Sequence, residues 1–266
     1  MEITNDLVEL MLQSVYDASE QIMKVYATDF VSEKKSDHTP VTVADKNSSK
    51  VICKKLSSTN ILIVSEEEKM PDDKIRLNTN TLFLIDPLDG TKEFIRKNGE
   101  FSINIALVKN QEPIFGMIAS PVKQEVIFGG PSFGVYQIPY FEKKFTDQKY
   151  KVKRLRDKRS KGLIFSRSHF TPDVNALISR LEERYGTLKL VRKGSALKFF
   201  DLARGQVDFY PRMAPTMEWD IASGHAIYRA VGGEVLDFTT FEPLIYNKPN
   251  LKNPPFIAKP VALRID

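Results

Sequence analysis

Two carboxylates and a glycine lie close together directly after an apolar run. Asp86, Asp89 and Gly90 follow residues 81–84, a short apolar run typical of a buried strand. Pro87 cannot continue a hydrogen-bonded ladder, so we expect the strand to end before it in a turn. Both carboxylates would then face one point together with a backbone carbonyl, which suits a hard cation such as Mg²⁺. A capped turn without a ligand is the alternative, and for an isolated D-x-x-D-G it is the commoner one.

Three further acids occur where other elements are expected to begin or end. Glu66 follows the apolar run at residues 61–64, and Asp45 and Asp220 each lie near the start of a predicted helix. Two strands that both end in carboxylates provide what a divalent metal site requires, because one loop rarely fills the coordination sphere alone. Each acid also has a structural alternative, which is a solvated acidic loop for Glu66 and a helix cap for the other two.

Two clusters in the second half of the chain are suited to binding an anion. Residues 166–169 read Ser-Arg-Ser-His after a predicted strand, and residues 194–198 place Ser195 and Lys198 around the start of a predicted helix. Free amides, a hydroxyl and a cation at a helix N-terminus favour phosphate binding. The alternatives are a structural His169 and a Ser195 that only caps its helix.

The first half of the chain is predicted to be α+β. Apolar residues at spacings of three and four predict a helix over residues 5–26. The alternation of Ser102 and Asn104 with apolar neighbours predicts a strand over residues 101–108 with one buried face. Further strands follow at close spacing and suggest antiparallel hairpins, at residues 114–119, 125–128 and 134–138.

The second half is predicted to be α/β, because strands and helices alternate. The strands are predicted at residues 163–166, 188–191, 207–210 and 234–238, the last being the final core strand, and the helices at residues 173–183, 196–203 and 219–230. The polar, basic stretch 141–161 favours a domain boundary. We therefore predict an α+β domain over residues 1–158 with most of the metal ligands, and an α/β domain over residues 159–266 with the nucleotide-binding residues and Asp220.

The bulk composition indicates an ordinary globular protein. The chain has 266 residues, of which 42% are hydrophobic, with a formal charge of +5 and a single cysteine, Cys53. No stretch approaches the ~18 apolar residues of a membrane span, so we expect no integral membrane segment. We expect a cytoplasmic monomer or homodimer, either free or held peripherally at the inner face of the cell membrane. The basic stretch lacks interleaved stacking aromatics, so nucleic acid is not an expected partner.

Three motifs in their order along the chain carry a resemblance to a known family. S-E-E at residues 65–67, D-P-L-D-G-T at residues 86–91 and W-D-x-A-x-G at residues 219–224 resemble the magnesium-dependent, lithium-sensitive phosphomonoesterases of the inositol monophosphatase superfamily. Within it, residues 86–108 and the S-R-S-H, G-S-x-L-K and Y-P-R motifs are most similar to the bacterial 3'(2'),5'-bisphosphate nucleotidases. One departure is Ala196, where those nucleotidases usually have a second Ser.

The resemblance implies a layered α/β/α/β/α fold and a metal-dependent mechanism. Two or three Mg²⁺ ions would be bound by four carboxylates and one backbone carbonyl, which belong to Glu66, Asp86, Asp89, Asp220 and Leu88. Asp45 and Thr91 would orient and deprotonate the attacking water, and Glu66 would also belong to the catalytic group.

The resemblance also implies how the substrate is bound. The amides of Gly90 and Thr91 would hold the phosphate under attack, next to Leu88, Asp89 and Asp220. The nucleotide would be bound by a histidine, a hydroxyl and two cations that meet the retained phosphate, which are His169, Ser195, Lys198 and Arg212.

We therefore predict hydrolysis of adenosine 3',5'-bisphosphate to AMP and phosphate, with 3'-phosphoadenylyl sulfate as a second substrate and a role in nucleotide recycling during sulfur assimilation. An inositol or sugar phosphatase with the same metal site is the nearest alternative. Lys198 and Arg212 argue against it, because the second phosphate of a bisphosphate requires cationic partners. The alternative from another class is a non-catalytic nucleotide- or RNA-binding protein, which would release no phosphate.

Overall fold

The computed structural model describes residues 2–34, 40–153, 161–167 and 171–265. The helices are α1 (Asn5–Tyr26), α2 (Val43–Leu56), α3 (Asp73–Leu77), α4 (Thr91–Ile95), α5 (Pro172–Tyr185), α6 (Lys198–Ala203) and α7 (Glu218–Ala230). The strands are β1 (Glu33–Lys34), β2 (Pro40–Val41), β3 (Leu62–Ser65), β4 (Thr81–Asp89), β5 (Ser102–Lys109), β6 (Glu112–Ser120), β7 (Glu125–Gly130), β8 (Gly134–Pro139), β9 (Gly162–Ser166), β10 (Lys189–Lys193), β11 (Tyr210–Arg212), β12 (Thr216–Met217), β13 (Gly233–Asp237), β14 (Lys252–Asn253) and β15 (Phe256–Pro260).

The first helix is as predicted. α1 covers residues 5–26, and Thr4 caps it by accepting a hydrogen bond from the Leu7 N–H at 3.3 Å. Its buried residues recur at helical spacing, which places Met11 and Val15 on one face. That face packs on α2 and on the central sheet.

Six strands form the central sheet, in the order β3-β4-β5-β6-β7-β8. β3 and β4 are parallel, and every other neighbouring pair is antiparallel, which confirms the predicted hairpins. The predicted single buried face of β5 is wrong, because Ser102 and Asn104 are fully buried as well as their apolar neighbours. The reason is that helices cover both faces of this sheet, with α1 and α2 on one side and α7 on the other.

A second sheet lies in the C-terminal half. β10 and β9 are parallel, and β11-β15-β13 form an antiparallel group that is linked to β9 by a bridge between Leu163 and Phe209. The prediction that residues 234–238 form the last core strand is wrong, because β15 lies between β11 and β13. β15 is a short apolar run next to Pro255. A proline argues against a strand prediction, although proline is tolerated at strand ends.

Three apolar clusters lie between the five layers of helices and sheets. The first joins α1 and α2 to the six-stranded sheet, and the second joins the opposite face of that sheet to α6, α7 and the second sheet. The third lies between the second sheet and α5. The predicted α/β/α/β/α order is therefore confirmed.

The predicted division of the chain between residues 158 and 159 falls outside the described residues. α7 comes from the C-terminal half, yet it packs on β4, β5, β6 and β7 of the first sheet. The six-stranded sheet therefore shares its second apolar cluster with elements from both halves of the sequence.

Among the described residues, we find no helix with both the length and the apolar character needed to cross a bilayer.

Candidate active site

The strand that carries two of the predicted acids continues past its proline. β4 runs through Pro87 to Asp89, so the prediction that the strand ends before Pro87 is wrong. Asp86 pairs with Asn104 and Asp89 pairs with Ser102, so three steps along β4 face two steps along β5. This bulge leaves Pro87 outside the ladder, where its missing N–H is not required.

The bulge also distributes the side chains of β4 between the two faces of the sheet. Leu84 belongs to the cluster beneath α7, whereas Leu88 joins Ile85 in the cluster beneath α1 and α2. Asp86 and Asp89 both line one cleft on the α7 side.

Three acids from separate elements meet in this cleft. Carboxylate oxygens of Glu66, Asp86 and Asp220 all lie within 4.8 Å of one another. The parallel pairing of Ser65 with Ile85 places the end of β3 beside the residue that precedes Asp86, and the Glu66 N–H donates to the Ile85 carbonyl at 3.1 Å. Asp220 comes from the first turn of α7, which is packed on the same sheet.

This acidic cluster suits a hard cation. Burial, together with the nearby charges of Glu66 and Asp89, raises the pKa of Asp86 well above its usual range. Burial and the charges of the same two neighbours also raise the pKa of Asp220. The three side chains offer oxygen donors alone, which is the donor set that Mg²⁺ and Ca²⁺ prefer. A bound divalent cation would remove the repulsion that otherwise disfavours their joint ionisation.

Asp89 lies beside the acidic cluster and is anchored by its own hydrogen bonds. Its Oδ2 accepts from the Ala196 N–H at 2.5 Å, from Asn104 Nδ2 at 3.2 Å and from Ser102 Oγ at 3.5 Å. Burial raises the pKa of Asp89, and the Lys198 charge opposes that rise. Ser102 and Asn104 are site residues that the sequence analysis missed, although their polar alternation on a strand after D-x-x-D was the available signal.

Asp45 caps a helix and also contacts the predicted site. Its Oδ2 accepts from the Thr42 N–H at 2.8 Å and from Thr42 Oγ1 at 2.6 Å, in a capping box at the start of α2. Its Oδ1 accepts from Thr91 Oγ1 at 3.0 Å, and the same hydroxyl lies 3.4 Å from the Leu88 carbonyl oxygen. Burial raises the pKa of Asp45, which these hydrogen bonds partly offset. Asp45 can therefore cap α2 and contact the cleft through Thr91 at the same time.

Gly90 makes the close approach between β4 and α4. Its φ of 94° is in the left-handed region that disfavours other residues. A Cβ at this position would lie 3.1 Å from the Glu100 carbonyl oxygen and 3.3 Å from the Ser195 Cβ. The missing side chain thus allows the residues before Thr91 to pack against the opposite wall of the cleft.

The predicted helix over residues 196–203 begins later than predicted, because α6 starts at Lys198. Ser195 precedes it with a φ of 48°, and its Oγ accepts from the Leu197 N–H at 3.3 Å. Ser195 therefore stabilises the turn before α6 and is not the residue that caps the helix.

Lys198 is the buried cation of the cleft. Its Nζ donates to the Ser195 carbonyl at 2.5 Å and lies 5.0 Å from the centre of the Tyr210 ring. Burial lowers the pKa of Lys198 to about 8, although the Asp89 charge acts in the opposite direction. Arg212 lies close enough to lower that pKa further.

The cleft has a volume of about 250 Å³ and brings together most of the predicted site residues. Its lining includes Glu66, Asp86, Leu88, Asp89, Gly90, Thr91, Ser195, Lys198, Arg212 and Asp220. Asp45 contacts the cleft through Thr91, and His169 lies outside the described residues. The individual roles of these residues stay predictions.

Comparison with known proteins identifies the family. The model of the inositol monophosphatase family matches residues 5–258. The chain belongs to the inositol monophosphatase family. Family members of similar sequence include the 3'(2'),5'-bisphosphate nucleotidase CysQ of Shigella flexneri, at 36% identity over 94% of this chain and 98% of that protein. The CysQ of Salmonella typhimurium is 34% identical over 90% of this chain and 96% of that protein.

Solved structures of the inositol monophosphatase family have the same fold. The crystal structure of CysQ from Bacteroides thetaiotaomicron matches with a TM-score of 0.83 and 39% identity, over 95% of this chain and 96% of that one. The Thermotoga maritima IMPase matches with a TM-score of 0.75 at 23% identity, over 96% of this chain and 92% of that one, a likeness of fold alone. The layered architecture is thus shared across the family.

Proposed function

We propose that this protein is a Mg²⁺-dependent 3'(2'),5'-bisphosphate nucleotidase that hydrolyses adenosine 3',5'-bisphosphate to AMP and phosphate. The observation that carries the proposal is one cleft with an acidic cluster on one side and Lys198 and Arg212 on the other. The similarity to the CysQ nucleotidases over nearly the whole chain supports the same activity. The sulfated analogue, 3'-phosphoadenylyl sulfate, is the proposed second substrate, because it retains the 3'-phosphate.

Two or three Mg²⁺ ions would be held by the carboxylates of Glu66, Asp86, Asp89 and Asp220 and by the Leu88 carbonyl. When bound, these ions would neutralise phosphate charge and lower the pKa of a bound water towards neutrality. The carboxylates would be kept ionised by the cations, which offsets their raised pKa values.

Thr91 and Asp45 would orient the attacking water. The Thr91 hydroxyl donates to Asp45 Oδ1, so its own oxygen is free to accept a hydrogen bond from a water in the cleft. Asp45 would take up the proton through this hydroxyl, and its raised pKa makes it a stronger base than an ordinary aspartate. Glu66 would belong to the same group as a metal ligand near the water.

Gly90 and Thr91 would hold the phosphate under attack with their backbone amides. Ser195, Lys198 and Arg212 would bind the remaining phosphate and the nucleotide from the opposite wall. An ammonium and a guanidinium in one cleft suit a substrate with a second phosphate, because each cation then pairs with a phosphate oxygen. His169, the remaining predicted nucleotide ligand, lies outside the described residues.

A substrate panel tests the proposal. Phosphate release is measured from adenosine 3',5'-bisphosphate, 3'-phosphoadenylyl sulfate and inositol 1-phosphate, each with Mg²⁺ and with a chelator. We expect Mg²⁺-dependent release with a clear preference for the bisphosphate. A preference for the inositol ester would overturn the nucleotidase assignment, and no release from any ester would overturn the enzyme assignment. The predicted cytoplasmic location, peripheral membrane association and oligomeric state stay predictions.

A further inference from the structure

Glu100 makes an unusual set of contacts beside the cleft. Its Oε2 accepts from the Gly194 N–H at 2.8 Å and from Arg167 Nε at 2.9 Å, while its Oε1 accepts from Arg167 Nη2 at 2.7 Å. These hydrogen bonds, together with the charges of Arg167 and Lys193, lower the pKa of Glu100 in spite of its partial burial. One carboxylate, two residues before the start of β5, thus connects the N-terminal half to two segments of the C-terminal half.

The contact with Gly194 depends on the absence of a side chain there. A Cβ on Gly194 would lie 2.7 Å from the Glu100 carbonyl oxygen and 2.8 Å from Glu93 Cγ. No larger residue fits this approach without movement of the backbone. Glu100 is therefore closely packed against the segment that leads to Ser195.

The residues on either side of Ser195 are both anchored to the N-terminal half. Glu100 accepts the Gly194 N–H, and Asp89 accepts the Ala196 N–H at 2.5 Å. Ser195, between these two bonds, has a φ of 48°, a conformation that costs free energy in a residue other than glycine and persists only where its surroundings impose it. The two carboxylates supply that constraint.

We infer that Glu100 is a positioning residue, which holds the segment of residues 194–196 against the acidic cluster and so sets the affinity of Ser195 and Lys198 for the nucleotide. The inference rests on the proposed function for its substrate. Glu100 itself does not line the cleft, so it acts through Gly194. Arg167 orients the Glu100 carboxylate and has the smaller effect.

Kinetics of four variants test this role. In Glu100→Ala the Gly194 N–H loses a charge-assisted acceptor, so we expect the KM for adenosine 3',5'-bisphosphate to rise roughly 10- to 100-fold. We expect kcat to change less than about threefold, because no group at the reacting phosphate is removed. Glu100→Gln keeps an oxygen that can accept the Gly194 N–H, and Arg167→Gln leaves Glu100 in place, so both should stay within about threefold of the wild-type KM. The matched control is Glu112→Ala, which breaks a surface ion pair with Arg229.

A second measurement needs no substrate. Amide hydrogen exchange of the peptide that covers residues 192–198 is compared in nucleotide-free protein, with thermal unfolding as a check on the fold. We expect exchange to be roughly 10- to 100-fold faster in Glu100→Ala and nearly unchanged in Glu100→Gln and Glu112→Ala, because only the first removes the acceptor.

The two measurements separate this inference from the proposed function. If the wild-type protein does not hydrolyse the nucleotide, the proposed function fails, and unchanged exchange in Glu100→Ala still overturns the Glu100 inference by itself. Faster exchange with an unchanged KM would also overturn it, since the held segment would then not set affinity. An equal rise in KM in Glu100→Gln and Glu100→Ala would assign the effect to the ion pair with Arg167 and overturn the role of the hydrogen bond from Gly194.

Discussion

The two walls of the cleft are built in different ways. The acidic wall, formed by Glu66, Asp86, Asp89 and Asp220, draws its side chains from β4, from the end of β3 and from the start of α7. The cationic wall, formed by Ser195, Lys198 and Arg212, comes from the turn before α6, from α6 and from β11.

In each wall, burial disfavours the charged form of the ionisable side chains. The buried acids Asp86 and Asp220 have raised pKa values, and the buried Lys198 has a lowered one. The acidic wall therefore requires cations and the cationic wall requires an anion, which a metal-bound phosphate ester with a second phosphate supplies together. The comparison predicts that the acidic wall serves any phosphomonoester, whereas the cationic wall selects the bisphosphate.

The largest effect is expected on the acidic wall. Asp89→Asn keeps the shape of the side chain but removes its charge, so we expect Mg²⁺-dependent phosphate release to fall at least several hundred-fold. The loss should be similar for adenosine 3',5'-bisphosphate and for a substrate with one phosphate. Steady-state kinetics check it, with Asp237→Asn at the end of β13 as the control. Activity close to the wild-type level would exclude Asp89 from the metal site.

The next effect concerns the hydroxyl between Asp45 and the cleft. Thr91→Val removes the hydrogen bond to Asp45, so we expect kcat to fall about 100-fold, within the range for a lost general-base pathway. Thr91→Ser keeps the hydroxyl and should retain most of the activity. Equal kinetics for the valine and serine variants would show that this hydroxyl takes no part in the reaction.

Arg212→Gln tests selectivity on the cationic wall. A lost contact between a guanidinium and a phosphate should raise the KM for adenosine 3',5'-bisphosphate roughly 10- to 30-fold. Adenosine 3'-monophosphate lacks the second phosphate, so its KM should change little. A matching loss on both nucleotides would mean that the cationic wall binds the reacting phosphate and does not select the bisphosphate.

The cationic wall should also respond to pH. The pKa of Lys198 is lowered to about 8, so its positive charge is lost as the pH rises through that value. An anionic substrate binds the charged form, and the KM for the bisphosphate should therefore rise above pH 8, by up to about tenfold per pH unit. Lys198→Arg remains charged over this range and should abolish the rise. A KM profile that is the same in both proteins would contradict the assignment.

The smallest effect is one of stability in metal-free buffer. The pKa of Asp86 is raised in the folded protein, which then holds a proton that the unfolded chain releases, so its stability falls as the pH rises above the ordinary value of 3.8. Asp86→Asn avoids this loss, and its Tm should exceed that of the wild type by roughly 2 to 4 °C at neutral pH. The difference should shrink towards pH 4, and saturating Mg²⁺ should reverse it, because the wild type binds the cation more tightly than the Asn variant. An Asn variant that is less stable at neutral pH would contradict this account.

Periodic elements were predictable from the sequence, and elements fixed by neighbours were not. α1 and the hairpins β6-β7-β8 follow from spacing and turn residues alone. β15 was missed because its place between β11 and β13 depends on pairing with strands far away in the sequence. The second buried face of β5 was missed for a similar reason, since α7 covers it from over a hundred residues later.

The acids of the site were predictable because their motifs are local. The groups that hold them were not, because a hydrogen bond from Asn104 to Asp89 or from Gly194 to Glu100 depends on strand register and on the approach of the two halves. Residue types indicate which atoms are available for hydrogen bonding, but only tertiary packing decides which of them meet.

The bulge in β4 explains why the side chains of Asp86 and Asp89 lie on the same face of the sheet. In a regular strand, residues an odd number of positions apart point to opposite faces, so Asp89 would have been buried beneath α1 and α2. The extra residue reverses that parity, sends Leu88 to the apolar layer and brings Asp89 round to join Asp86. A regular ladder without this bulge would thus leave every carboxylate in the sequence and still dismantle the acidic wall. The site is encoded by the count of residues in this strand as much as by their chemistry.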